Sequence, residues 1–325
     1  MKKEFLNLLK ITATRHSKPV RLYSSKGHIW AHRIGNGYDL RQRLVETDRL
    51  FDVCVDGNFV KGLLGLEKTL SMAFDGEIHI NGQTVSEIDL PELFKPVDEA
   101  RAENDSCTFE IDEDRLGLIY AAAQYISKDD TRPLFNHVYI DKDSITATNT
   151  YILYTSLHGK EGVEKPLFIP KDLLPFLAPG ALSVRDTGAE ENPRQAYEFK
   201  AEDREGFWSL PVMQFPDYKR LIDGFDNPLC YDFKTGKGLA AEAEKLSKLA
   251  KLKADISDNT GHPVISLGDV LGRSDIDKRV SGTYLPTVLK TIGNRAFCLF
   301  CSEVKNTPML FDVANDRILL TPIRE

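Results

Sequence analysis

Long apolar runs are missing from this sequence: no stretch approaches the ~20 consecutive apolar residues that a membrane-crossing helix needs. The N-terminus, Met1-Lys2-Lys3-Glu4-Phe5-Leu6, carries charge without the apolar run or small-residue cleavage site of a signal peptide. A cytoplasmic location is therefore expected. Cysteine is scarce and scattered. The five residues Cys54, Cys107, Cys230, Cys298 and Cys301 are odd in number, which argues against a disulfide framework. Cys298 and Cys301 form a C-x-x-C inside Ala296-Phe297-Cys298-Leu299-Phe300-Cys301, which reads as a strand. Residues three apart on a strand point to opposite faces. A metal site would also need a second ligand pair at suitable spacing, and none is visible, so both are read as core cysteines.

Motifs for chemistry are equally thin. Lys234-Thr235-Gly236-Lys237-Gly238 has the composition of a phosphate loop without the G-x-x-x-x-G-K-[ST] spacing that wraps backbone amides around phosphates. Gly35-Asn36-Gly37 lacks a third glycine and fits a hairpin turn better than a dinucleotide site. His28 and His32 are four apart, but on a strand, where that spacing gives only a shared face. No Gly-x-Ser-x-Gly elbow occurs. Asp112-Glu113-Asp114 and Glu190-Glu191 sit at a helix start and in a polar loop, as solvated charge does. The chain is read as a non-enzyme that needs no cofactor. An excess of positive charge is missing too, since 42 Lys and Arg against 49 Asp and Glu leave a net −7. Proteins that coat nucleic acid are usually basic overall, so any such contact must come from a local basic surface on an acidic body.

What is present is repetition. Gln214-Phe215-Pro216-Asp217-Tyr218-Lys219-Arg220-Leu221 closes the middle third of the chain. Leu90-Pro91-Glu92-Leu93-Phe94-Lys95-Pro96 and Leu319-Leu320-Thr321-Pro322-Ile323-Arg324-Glu325 close the other two. Three apolar-plus-proline endings at intervals of roughly a hundred residues point to one architecture used three times. A chain of 325 residues is also too long for a single core. The polar linker Val97-Asp98-Glu99-Ala100-Arg101-Ala102-Glu103-Asn104-Asp105 helps place domains at 1–98, 99–222 and 223–325.

Within each third, alternating runs and amphipathic stretches predict two helices and a mostly antiparallel sheet, an α+β fold. Helices are expected over Lys3–Ile11, Phe59–Leu70, Glu113–Ile126, Lys171–Leu177, Leu239–Lys253 and Tyr284–Ile292. Asp112 is the N-cap of the third. Ser144–Thr155 reads as one strand. The helices carry lysines. Lys61 and Lys68 are seven apart and return to nearly one face, and Lys245, Lys248 and Lys251 line one side of their helix, opposite Leu239, Ala243, Leu246 and Ala250. Lys2, Lys3, Lys10 and Arg15 lie on or just beyond the first. On a shared surface these would form a basic track that binds phosphates without reading bases.

The three endings, the Phe-Pro-Asp-Tyr-Lys-Arg segment, and Ile145-Thr146-Ala147-Thr148-Asn149 ahead of a strand together resemble the bacterial β sliding clamp, the processivity subunit of the replicative DNA polymerase. The resemblance covers essentially the whole chain. It implies three serial clamp domains per chain and a head-to-tail homodimeric ring around duplex DNA, with helices lining the hole. It also implies a cleft between the second and third domains that takes a peptide motif from polymerase, clamp loader and repair proteins. That cleft would be formed by Phe135, Thr148, Thr150, Tyr151, Ile152, Leu153, Pro216, Arg220, Leu221, Pro308, Leu319, Leu320, Thr321, Pro322, Ile323 and Arg324, with Pro322, Ile323 and Arg324 at an exposed end. DNA contacts would include Arg15, Lys128 and Arg132, beside the lysines at 3, 10, 61, 68, 245, 248 and 251.

Two departures stand out. Thr150-Tyr151-Ile152 replaces a Gly-His-Arg usual in the family, which makes the cleft more apolar. Too little sequence lies between Lys253 and Tyr284 for the usual strands of a third domain. A divergent clamp carried by a phage or mobile element fits both. A clamp-derived interaction scaffold that keeps the cleft without closing around DNA fits the second.

Overall fold

The computed structural model describes residues 2–11, 19–35, 37–66, 70–89, 107–158, 163–187, 191–224, 229–252, 261–304 and 306–323. In chain order the elements begin with α1 (Lys2–Ile11), β1 (Pro19–Ser25), β2 (His28–Gly35), β3 (Tyr38–Glu46), β4 (Asp52–Asp56), α2 (Gly57–Leu66), β5 (Met72–Phe74), β6 (Ile78–Ile80), β7 (Gln83–Val85) and β8 (Glu87–Ile88). They continue with β9 (Cys107–Ile111), α3 (Glu113–Ala123), β10 (His137–Ile140), β11 (Ser144–Thr148), β12 (Ile152–Leu157), β13 (Leu167–Pro170), β14 (Gly180–Thr187), β15 (Arg194–Ala201) and β16 (Arg204–Pro211). The last are α4 (Tyr218–Asp223), β17 (Leu229–Phe233), α5 (Leu239–Leu252), β18 (Val264–Ser266), α6 (Leu267–Leu271), β19 (Arg279–Ser281), α7 (Leu285–Ile292), β20 (Phe297–Cys301), β21 (Met309–Val313) and β22 (Asp316–Leu320). The mix of helices with antiparallel sheets is α+β. The first ending, Leu90 to Pro96, and the linker from Val97 to Asp105 lie outside the described residues.

The chain forms two compact units. The first, Met1–Leu116 with Val163–Lys165 and Asp172–Met213, is built on a nine-stranded sheet in the order β8-β4-β1-β2-β3-β16-β15-β14-β9. The β3–β16 register, from Arg204 opposite Gln42 to Trp208 opposite Tyr38, carries the sheet from the early strands to the later ones. The Tyr38–Glu46 run is rich in charge. Yet Leu40, Gln42 and Leu44 alternate inward while Asp39, Arg41 and Arg43 stand at the surface, the period-two pattern of a half-buried strand. Phe5, Leu8 and Leu9 of α1 and Val60 and Leu64 of α2 are buried, and the two helices pack together. Arg33, only 1% exposed, donates from Nη1 to Leu9 O at 3.1 Å, near the C-terminal end of α1, where cations complement the helix carbonyls. Burial pushes its guanidinium down to about 10. Asn81 and Gly82, at φ 51° and 75°, make the tight turn that pairs β6 with β7.

The second unit, Gly117–Gly162 with Pro166–Lys171 and Gln214–Glu325, holds an eight-stranded sheet in the order β13-β10-β11-β12-β22-β21-β20-β17. Here the junction is β12–β22, with Ile152 opposite Leu320 and Tyr154 opposite Ile318. Beneath it Tyr125 stacks on Tyr154 at 5.1 Å. Tyr154 Oη donates to Asp316 Oδ1 at 2.9 Å, and Arg295 pairs with the same carboxylate at 2.7 Å. That gives a buried acid and phenol their obligatory partners. Helix α5 buries Ala243, Ser247 and Ala250 and packs against α7. Between those helices, β18 and β19 form a two-stranded sheet of three residues each.

Three local expectations are corrected. Ser144–Thr155 is two strands with a turn at residues 149–151. Lys171–Phe176 is a 3-10 helix with Pro175 inside it. Cys298 is not a core cysteine: alternation along β20 buries Cys301 and turns Cys298 toward solvent, where its thiol donates to Asp232 Oδ1 at 3.0 Å.

Candidate functional site

The turn that interrupts the expected strand shapes a cavity in the second unit. Asn149 Oδ1 accepts from the backbone N–H of Tyr151 at 3.0 Å and of Ile152 at 2.9 Å. Thr148 Oγ1 donates to Ile152 O at 2.7 Å and accepts from Thr150 N at 3.0 Å. These bonds hold Thr150 at φ 78°, a conformation that strains a β-branched residue. Arg132 Nη1 donates to Thr150 Oγ1 at 3.2 Å. The ring of Tyr151 stacks on Tyr284, and His262 meets Tyr284 edge-on at 5.0 Å.

The Phe215-Pro216-Asp217-Tyr218 segment supplies a second wall. Phe215 stacks on Tyr139 with centroids 4.5 Å apart. The Asp217 side chain accepts from Arg220 N at 3.3 Å and caps α4, a standard use of aspartate at a helix start. Tyr218 Oη donates to Asp141 Oδ2 at 2.7 Å and lies 2.6 Å from Ser144 Oγ. Lys219 closes the anchor on Asp141 at 3.3 Å and Asp143 at 3.2 Å. Burial works to raise the Asp141 carboxyl. Hydrogen bonds from Tyr218 and from the amides of Asp143 and Ser144, with the Lys219 ammonium, outweigh it and hold the carboxyl below its ordinary range. With its base fixed, α4 presents Arg220 and Leu221 outward, and Leu221 is 55% exposed.

Together these elements enclose a cleft of about 620 Å³. Of the cleft residues expected from sequence, Phe135, Thr148, Thr150, Tyr151, Ile152, Leu153, Pro216, Arg220, Leu221, Pro308, Leu319 and Thr321 line it. Leu320, Pro322 and Ile323 are not among the lining residues. Leu319 and Leu320 face opposite ways on β22, and Leu320 is 0% exposed in the core. Pro322 is buried rather than at an exposed end, and Ile323 N donates to Arg279 O at 3.0 Å. Arg324 lies outside the described residues. Phe215, Tyr218, Gly224, Ser302 and Thr307 also line the cleft. The first two belong to the aromatic-proline segment itself, whereas Ser302 and Thr307 lie in the β20–β21 connection beside the expected Pro308. The walls are mostly apolar, with Thr150, Ser302, Thr307, Thr321 and the exposed Arg220 among the polar lining residues. Such a surface can bury apolar anchors of a short extended ligand and orient it through a few polar contacts.

The basic candidates fall on both units. In the first, Lys3 on α1 and Lys61 on α2 are exposed, and Lys10 lies on α1. In the second, Lys245, Lys248 and Lys251 are exposed along α5, and Lys128 and Arg132 are exposed in the loop after α3. Lys245 is 3.2 Å from Glu242. Helix α3 instead exposes Glu113, Asp114 and Tyr120. Arg15 and Lys68 lie outside the described residues.

Among solved structures, the DNA polymerase III β subunit of Thermotoga maritima matches this chain with a TM-score of 0.72 at 14% identity, covering 100% of this chain and 97% of that one. The chain has the sliding-clamp fold. It is similar as well to the β subunit of Borrelia burgdorferi solved with a natural product, at TM-score 0.73 and 12% identity, covering 99% of this chain and 96% of that one. The Helicobacter pylori β clamp bound to a DNA ligase peptide matches at TM-score 0.68 and 14% identity, covering 99% of this chain and 97% of that one. No protein-family model matches the sequence, and no curated protein does. Among the described residues, no helix is long and apolar enough to cross a membrane.

Proposed function

We propose that this chain is a cytoplasmic DNA sliding clamp, a non-catalytic processivity factor. In this reading it comprises three serial domains at 1–98, 99–222 and 223–325. Two copies close head-to-tail around duplex DNA, and the cleft tethers a polymerase, a clamp loader and other proteins by their clamp-binding peptide motifs. The observation that carries the proposal is the cleft. Twelve of the sixteen residues expected there on the resemblance alone line one cavity, in a chain whose whole length has the clamp fold. The Helicobacter pylori clamp bound to a ligase peptide supports a peptide as the ligand class. The exposed lysines of α1, α2 and α5 support weak, salt-sensitive phosphate contact of the kind a sliding protein needs.

A second reading, a clamp-derived scaffold that binds peptides without encircling DNA, is favoured by one feature. The β18–β19 sheet is only two short strands, in the domain that would close the ring. Light scattering after size exclusion separates the two. A dimer at micromolar concentration that is retained on circular DNA and lost from linearised DNA is the expected result. A persistent monomer released equally from both forms would leave only the scaffold.

A further inference from the structure

Away from the cleft, the solvent-facing side of the β17–β20 pair gathers two thiols and a carboxylate. Cys230 and Asp232 are two apart on β17 and so share a face. The register sets Asp232 opposite Cys298 and Cys230 opposite Phe300. The sulfurs of Cys230 and Cys298 and a carboxylate oxygen of Asp232 all lie within 4.8 Å of one another. Cys230 and Asp232 are exposed and Cys298 is half-buried, so the triangle opens to solvent. On the next strand Asp312 sits opposite Cys298, adding a further negative charge beside it.

Two uses of such a thiol pair compete, and the register decides between them. A disulfide requires Cα atoms within about 4.4–6.8 Å. Cys230 and Cys298 are diagonal rather than directly opposed, and diagonal positions lie roughly 7–8 Å apart. A tetrahedral ion with zinc–sulfur bonds of about 2.3 Å instead needs sulfurs about 3.8 Å apart, which the cluster allows. Two sulfurs with one carboxylate select a thiophilic borderline cation over magnesium or calcium, whose shells are all oxygen.

We propose that Cys230, Asp232 and Cys298 form a three-ligand site for zinc, with the fourth position open to solvent. Cys230 and Cys298 bind as thiolates, each releasing its proton to solvent as the ion enters. β17 is the terminal strand of the eight-stranded sheet, and β20 is its sheet neighbour. The ion would therefore staple that strand to the sheet from one face.

The test uses the full-length, fully reduced protein. Cobalt(II) titration should give sulfur-to-metal charge-transfer absorption in the near ultraviolet and the intense visible bands of a tetrahedral site, at one ion per chain. Zinc should displace it, raise the melting temperature and protect Cys230 and Cys298 from alkylation. Cys230→Ser and Cys298→Ser should each lose charge-transfer intensity and bind zinc roughly 100-fold or more weakly, and Asp232→Asn about tenfold. Circular dichroism on each variant checks that the sheet is intact. The proposal is overturned by wild-type protein without thiolate bands, by zinc affinity unchanged in Cys298→Ser, or by zinc protection confined to Cys54, Cys107 or Cys301.

Discussion

Tyr151 and Tyr284 stack with ring centroids 5.5 Å apart and planes 19° from parallel. The contact holds the tip of the β11–β12 turn against the start of α7 while leaving Tyr151 40% exposed on the cleft wall. Tyr151→Ala should therefore separate binding from stability. An aromatic pair contributes about 0.5–1.5 kcal/mol beyond its buried area, so the melting temperature should fall by only a few degrees. Affinity for the ligase peptide that the Helicobacter pylori clamp binds, measured by fluorescence polarisation, should fall by roughly tenfold or more. Leu221→Asp, at an exposed rim position, should weaken the same peptide with no loss of stability. Unchanged affinity in both variants would sink the peptide-cleft assignment.

Asn149 does not line the cleft, yet its side chain fixes the turn that does. Asn149→Ala removes two acceptor contacts to the Tyr151 and Ile152 amides and is expected to cost about 1–2 kcal/mol in urea denaturation. It should also release Thr150 from its strained φ and weaken peptide binding indirectly. Asn149→Asp keeps the acceptor and should recover most of both losses. If Asp and Ala variants behave alike, the hydrogen bonds do not hold the turn.

The Asp141 anchor predicts a pH dependence with a definite sign. Its folded carboxyl is held below the unfolded value of about 3.9. Its stabilisation is therefore complete above that value and lost as pH falls through the lower folded one. Asp141→Asn should cost about 1–2 kcal/mol at pH 7. The gap to wild type should narrow below about pH 4. A gap that stays constant from pH 7 to pH 3 would mean that the Tyr218 and Lys219 contacts do not depend on the charge.

How far the sequence reaches is visible in these same residues. Helix α5 and the spacing of its buried Ala243 and Ala250 against exposed Lys245, Lys248 and Lys251 were legible, because a 3.6-residue period is a local property. The cleft is a different case: its positions follow only from the resemblance carried by segments such as Phe215-Pro216-Asp217-Tyr218, and no local period brings them together. The turn at Asn149-Thr150-Tyr151 was not legible, since it lacks glycine or proline and depends on side-chain bonds from Thr148 and Asn149. The facing of Leu320 could not be assigned, because one residue of register decides whether it meets the cleft or the core. The Cys298–Asp232 contact spans 66 residues and arises only from the pairing of β17 with β20. No C-x-x-C spacing could indicate it.

The lysines of α5 give the sharpest test of the DNA reading. Lys248 is exposed, and Lys245 pairs with Glu242 one turn away, an exposed pair of small net energy. The double variant Lys245→Glu/Lys248→Glu should fold normally, since neither side chain is buried. If the two lysines neutralise phosphates, affinity for duplex DNA should fall and the slope of log K against log salt should shrink by about 1.8. Retention on circular DNA after a salt wash should fall in step, while affinity for the cleft peptide stays at the wild-type value. That pairing matters, because a loss of both activities would report a damaged fold rather than a lost contact. Retention and salt slope equal to wild type would reduce these lysines to a solvated helix face and move any DNA contact to Lys3, Lys61 or the Lys128–Arg132 loop.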